Sequence, residues 1–214
     1  GVQTVGMGGW ALGAQPHFLP NGLARELPKG SDFIIQYHFH PNGKPQVEQS
    51  KIGFYFAKQA PDKRLFGVQL PPTFGLFSGI TIPPGEKDYV VRDSYTLPAS
   101  VDAIGVGAHA HYIAKKMKLT ATLPTGEVKT LLNITDWDFA WQDQYYFADA
   151  QTLPAGTRLD GEVHWDNSAD NPRNPSNPPI TVEWGEASND EMGSVSLMAV
   201  PHDMADMKTL RTDY

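Results

Sequence analysis

The chain contains no cysteine. No disulfide can staple it, and thiolate zinc sites, iron–sulfur clusters and blue-copper centres are excluded. Any metal must be held by His, Met, Asp, Glu or backbone oxygen. Basic runs are missing too, and the net charge is −7. Nucleic-acid binding needs clustered Lys and Arg to neutralise phosphates, so no nucleic-acid partner is expected. No apolar stretch approaches the ~20 residues of a membrane-spanning helix, so no membrane span is expected. Long amphipathic helical patterns and fixed-period repeats are absent. So are the Gly-x-Ser-x-Gly elbow, the phosphate-binding loop and the His-Glu-x-x-His helix. Charged residues make up only 19%, and hydrophobic residues 40%, of 214 residues. That balance describes a chain able to pack a core, not a disordered one. The chain opens at Gly1 with no signal-like segment. Gly1–Gly9 reads as the interior of a longer sequence, so a processed or incomplete N-terminus is expected.

What is present is punctuation. Twenty Gly and eighteen Pro are scattered among short runs rich in Val, Ile, Thr, Phe and Tyr. This is the pattern of an all-β sandwich or barrel. Strands are predicted at Asp32–His40, Ser50–Ala57, Leu65–Leu70, Gly79–Ile82, Tyr89–Leu97, Val101–Leu123, Val128–Thr135, Gln144–Phe147, Arg158–Trp165 and Val195–Val200. The run Val101–Leu123 is too long for one strand and is predicted to bend near Ala114–Lys116. Turns are marked by Pro41-Asn42-Gly43, Pro83-Pro84-Gly85, Pro124-Thr125-Gly126 and Pro154-Ala155-Gly156. Asp166–Pro179, dense in Asn, Asp and Pro, reads as a long structured loop. Pro and polar residues between Ala60 and Phe77 suggest a boundary, with residues 1–70 in a smaller N-terminal part and 71–214 in a larger C-terminal sandwich.

Four of the seven histidines fall in two His-x-His pairs. In His109-Ala110-His111 the imidazoles of one strand point the same way and can grip one metal ion. Ala103, Gly105 and Gly107 lead into them on the same face, and Ile104, Val106, Ala108 and Ala110 are predicted to face the core. The plainer alternative is two polar residues facing water. In His38-Phe39-His40 the histidines share a face with Ile34 and Gln36, while Phe33, Ile35, Tyr37 and Phe39 form the face predicted to be buried. Met192, in Asn189-Asp190-Glu191-Met192, would ordinarily be packing material. Beside two imidazoles its thioether gains another meaning, because soft sulfur favours Cu(I) while imidazole serves both copper states. The cluster Asp136-Trp137-Asp138-Phe139-Ala140-Trp141-Gln142 either lines a pocket or closes a sandwich end. The Asp166–Asn177 loop has oxygen donors but matches no standard calcium loop. His17, His164 and His202 read as structural or exposed.

Taken in order, these pieces resemble the copper type II, ascorbate-dependent monooxygenases, the family of peptidylglycine α-hydroxylating monooxygenase and dopamine β-monooxygenase. The resemblance runs through Arg25-Glu26-Leu27-Pro28-Lys29-Gly30, Gln36-Tyr37-His38, Ile82-Pro83-Pro84-Gly85-Glu86, His109-Ala110-His111, Pro154-Ala155-Gly156-Thr157 and Asp190-Glu191-Met192. The wording Gln36–Lys44 is most similar to bacterial members. The resemblance implies two jelly-roll-like antiparallel β-sandwiches, the N-terminal one incomplete in this chain. It implies that His109, His111 and Met192 hold the oxygen-activating copper. His38 would be a ligand of an electron-transfer copper, possibly with His40, and Gln36 a polar neighbour. One or two copper ions, dioxygen, a small-molecule substrate and ascorbate or another one-electron reductant are the implied cofactors and partners. A periplasmic or extracellular setting goes with them. This sequence departs from the family in having no His-His pair, no disulfides, and Gly107 where the peptide enzyme places a carboxylate-binding arginine. Ser194 and Ser196 stand in place of that enzyme's tyrosine and asparagine, so peptidylglycine is not the expected substrate.

The expected activity is therefore copper-dependent hydroxylation of a C–H bond. The alternatives are a non-catalytic copper-binding or structural β-sandwich module of an exported protein, and a metal-free sandwich for carbohydrate or protein contacts.

Overall fold

The computed structural model describes residues 7–20, 22–39 and 42–214. It is all-β, as expected. The strands are β1 (Phe66–Leu70), β2 (Thr81–Ile82), β3 (Tyr89–Thr96), β4 (Val101–Ala110), β5 (Ala114–Thr122), β6 (Val128–Ile134), β7 (Gln144–Leu153), β8 (Arg158–Trp165), β9 (Val182–Glu183) and β10 (Gly193–Pro201), and one short helix, α1 (Met207–Asp213), follows. Two four-stranded antiparallel sheets are ordered β1-β10-β4-β7 and β3-β8-β5-β6, with β2 and β9 forming a separate ribbon. Apart from the β5–β6 hairpin, neighbours in each sheet are remote in sequence and the chain passes back and forth between sheets, which is jelly-roll connectivity.

Strand alternation drives the packing. Val68, Leu70, Val106, Leu153, Val195 and Leu197 from one sheet meet Met117, Leu119, Leu132, Leu159 and Val163 from the other in one buried core. The sheets approach most closely at Gly161. A Cβ there would lie 2.8 Å from both Leu70 Cβ and Val195 Cγ2, so only glycine fits.

The long run predicted over Val101–Leu123 divides earlier than expected, at His111–Ile113. There the chain leaves the first sheet and enters the second. A bulge also sits on β4: Ala103 pairs with Ala199 and Gly105 with Met198, leaving Ile104 unpaired. The extra residue changes the parity of the strand. Ala103 therefore lies in the core rather than on the histidine face, and Ile104 lies outside the main core cluster. Gly105, Gly107 and His109 keep the shared face predicted for them, opposite Val106, Ala108 and Ala110.

β1 pairs with β10 from Phe66 onward, so the sandwich begins ahead of the expected boundary after residue 70. Before Phe66 the described residues hold no strand and one isolated bridge, Leu23 to Lys63. The strands predicted at Asp32–His40 and Ser50–Ala57 do not form among them. Their alternating pattern supplies an apolar face but not a ladder partner, and backbone pairing decides a strand. Phe33, Ile35, Tyr37 and Phe39 are exposed rather than buried. They meet other aromatics of the same region instead, Phe33 against Phe54 and Tyr37 against Phe39.

Candidate metal centre

His109 is in the last turn of pleat on β4, and His111 is in the residues that carry the chain to β5. The β4–β10 register sets Ser194 opposite His109 and Gly193 opposite Ala110. Directly opposed residues share a face. His111 and Met192 each lie one residue past the last pair of that ladder, and the register continued by one position would set them opposite each other. Alternation says the same. The Glu191 side chain points inward, to Trp165, and a Cβ on Gly193 would run into the Trp165 indole. Met192 lies between these two inward positions, and strand alternation carried back through it would turn its side chain outward, toward the side of the imidazoles. It is 8% exposed.

The imidazoles are 5.3 Å apart between ring centroids and nearly perpendicular, at 89°. Each is held through Nδ1. Gln142 Oε1 lies 2.7 Å from His109 Nδ1, and Gln142 Nε2 donates to the Phe139 carbonyl at 3.0 Å. With its amide nitrogen so committed, Gln142 presents oxygen to His109, and His109 Nδ1–H donates. His111 Nδ1 donates to the Asp190 carbonyl at 3.0 Å, an acceptor that admits no other tautomer. Both rings therefore carry the proton on Nδ1, the arrangement in which an outer partner orients a metal-ligating histidine; the Ala187 carbonyl also bears on the His111 ring.

Burial, with His111 close by, lowers the His109 pKa to about 4. Burial lowers that of His111 as well. Both are neutral at pH 7, the form that coordinates metal. Aromatic edges enclose the pair: Phe74 lies 5.0 Å from His109 and Phe139 lies 6.1 Å from His111, centroid to centroid.

Two buried groups that residue type alone does not reveal complete the frame. The Glu191 carboxylate is 1% exposed. It accepts the backbone N–H of His111 at 2.9 Å and of Ile113 at 2.8 Å. It also accepts the Trp165 indole N–H at 2.9 Å, and the Met192 N–H faces it. Burial pushes its pKa up to about 8, with these donors acting in the opposite sense. Trp137 is buried and donates from Nε1 to the His111 carbonyl at 3.0 Å. Of the two tryptophans in the Asp136–Gln142 cluster, Trp137 thus closes the sandwich end, whereas Trp141 is 63% exposed. Gln142 was legible only as a member of that cluster, and Glu191 only as the neighbour of Met192.

Other predicted residues lie elsewhere. His38 is near enough for its charge to act on both His109 and His111. His40 lies outside the described residues. Among the described residues no three His, Asp or Glu side chains gather as a metal-binding group. His17, His164 and His202 pair with Asp143, Asp88 and Asp102. The Asp166–Asn177 loop spends its polar groups internally. Asp166 pairs with Lys115 at 2.8 Å, and buried Asn167 donates to the carbonyls of Ile82, Pro83 and Ile180.

No protein-family model and no curated protein matches the chain. Among solved structures it is similar to the nucleoplasmin-like N-terminal domain of Drosophila FKBP39, at 15% identity and a TM-score of 0.30, over 68% of this chain and 95% of that one. A likeness at that score carries no argument about function.

Proposed function

We propose that the chain is a copper-dependent monooxygenase in which His109, His111 and Met192 hold copper and a C–H bond of a small-molecule substrate is hydroxylated. One observation carries the reading: two neutral imidazoles are each held through Nδ1, and the β4–β10 register, continued one residue past its last pair, would bring the Met192 thioether to their side. Two nitrogens and a thioether suit copper cycling between Cu(I) and Cu(II), whereas zinc does not select a thioether. Three protein ligands leave a position open, and copper bound there supplies activation of dioxygen. The protein's own part is to keep both imidazoles unprotonated, to fix their direction through Gln142 and the Asp190 carbonyl, and to wall the pair with Phe74 and Phe139. One oxygen atom enters the C–H bond and the other leaves as water, with two protons and with two electrons from ascorbate or another one-electron reductant. His38 is the proposed ligand on the electron-delivery side.

The test is anaerobic loading with Cu(I), followed by X-ray absorption at the copper edge. Nitrogen and sulfur scattering from a single copper per chain is the expected result. Met192→Ile should weaken Cu(I) at least ~10-fold while leaving Cu(II) within about twofold, since the soft ligand serves the reduced ion. Preferred loading with zinc, or copper without sulfur scattering, overturns the site. Copper bound as expected, but without reductant-dependent oxygen consumption across a substrate panel, leaves a copper-binding module and removes the monooxygenase.

A further inference from the structure

Glu191 is a carboxylate with no counter-cation among its contacts. Among the described residues its hydrogen-bond partners are N–H donors from two separate places. His111 N and Ile113 N belong to the crossing from β4 to β5 and Trp165 Nε1 belongs to the end of β8, while Glu191 itself immediately precedes Met192 at the entry to β10. The Oε2 atom takes His111 N and Trp165 Nε1, both at 2.9 Å, and Oε1 takes Ile113 N at 2.8 Å. The group is 1% exposed. A core needing only packing would fill this volume with an apolar side chain, because a buried carboxylate is costly unless its partners are specific.

Where the donors come from explains the expense. His111 and Met192 sit at ends of strands, where the ladder no longer fixes the backbone: β4 ends at Ala110 and β10 begins at Gly193. The Glu191 carboxylate takes the His111 N–H, and the same residue is joined directly to Met192 in the chain.

We infer that Glu191 is a positioning residue for the metal centre, a clamp that sets the separation of the His111 imidazole from the Met192 thioether by tying the β4–β5 crossing to the residue that immediately precedes Met192. It touches no substrate and donates nothing to the metal. The inference rests on the His109–His111–Met192 reading and adds to it what keeps the sulfur in place.

Glu191→Gln is nearly isosteric but replaces one acceptor oxygen by an amide that must face an N–H donor. Glu191→Asp keeps the carboxyl group and withdraws it by one methylene, and serves if the first variant does not fold. In either variant, folded by circular dichroism, the copper-edge spectrum of the Cu(I) form should lose sulfur scattering while keeping both nitrogens. Cu(I) affinity should fall ~10-fold or more with Cu(II) affinity little changed. In a Met192→Ile background the same substitution should have no further effect on Cu(I) affinity, because its target is gone. A purely structural role would lower the melting temperature and weaken both oxidation states alike, or weaken neither. Retained sulfur scattering in the variant, or additive losses in the double variant, overturns the clamp. Absence of sulfur scattering in the wild type overturns the metal site and the clamp together.

Discussion

Substituting Gln142 by Leu removes two side-chain hydrogen bonds and, with the one to His109, the reason His109 presents Nε2. The side chain is buried, and its geometry is fixed from both ends, by the Phe139 carbonyl at 3.0 Å and by His109 Nδ1 at 2.7 Å. Its backbone N–H donates to the Leu12 carbonyl at 2.8 Å and survives the change. Leucine fills similar space, so packing loss is small. What changes is that the Nδ1–H of His109 loses its acceptor in a buried place, costing about 1–3 kcal/mol of stability. The ring is also free to rotate or to exchange tautomers. Loss of an outer partner of this kind lowers metal affinity about 10–100-fold, or about 1.4–2.7 kcal/mol. The assay is competition for Cu(I) against a chelator of known affinity, run beside chemical denaturation of the metal-free protein. Lower stability with Cu(I) affinity within about twofold of wild type would refute the reasoning, because the hydrogen bond would then serve folding and not the lone pair.

Three further outcomes follow from the same geometry. The His109 pKa of about 4 predicts an NMR titration midpoint far below the usual ~6.5 of histidine. Between those values the unfolded chain binds a proton at His109 that the folded chain refuses, so this contribution to stability is complete above about pH 6.5 and is lost as pH falls toward 4. His109→Gln should lack that slope, and a wild-type midpoint near 6.5 contradicts the burial argument. In Gly193→Ala the new methyl would stand 2.8 Å from Trp165 Cη2 and 3.0 Å from Val163 Cγ1; overpacking should cost about 1–3 kcal/mol by denaturation, with Cu(I) affinity falling as Met192 is displaced. Asn167→Ala strips donors from the carbonyls of Ile82, Pro83 and Ile180 and should cost on the order of 3 kcal/mol without altering copper affinity, which separates stability of the loop from integrity of the site.

Much of the sandwich was legible because its strands are written in period two. Tyr89–Thr96, Val128–Ile134 and Arg158–Trp165 fall within a residue of their predicted bounds. The failures have physical causes. Asp32–His40 and Ser50–Ala57 carry the same period, yet periodicity reports a face, and a strand also needs a neighbour's backbone. Ile104 was assigned to the core because alternation was extended through it unbroken. A bulge is a property of the pair, and nothing in the β4 sequence alone marks it. The short pairing of Val182 with Ile82 has too few residues to show any period.

The site divides along the same line. His109 and His111 stood out because a strand sets residues two apart to one side; β4 ends at Ala110, between them, and their rings lie 5.3 Å apart. Met192 lies 81 positions beyond His111, and its place depends on the antiparallel register of β10 against β4, which no local rule supplies. Gln142 and Glu191 are further from reach, because their meaning lies in what they face. An amide is a tautomer lock only when its nitrogen is already spent on Phe139. A carboxylate is a clamp only when the chain has left two strand ends with N–H groups that no ladder takes up. Chemistry of the first kind can be read from side-chain type and spacing. Chemistry of the second kind comes from topology: the jelly-roll crossing that carries the chain from β4 to β5 beside the entry to β10 creates the unpaired donors, and Glu191 is the acceptor that meets them.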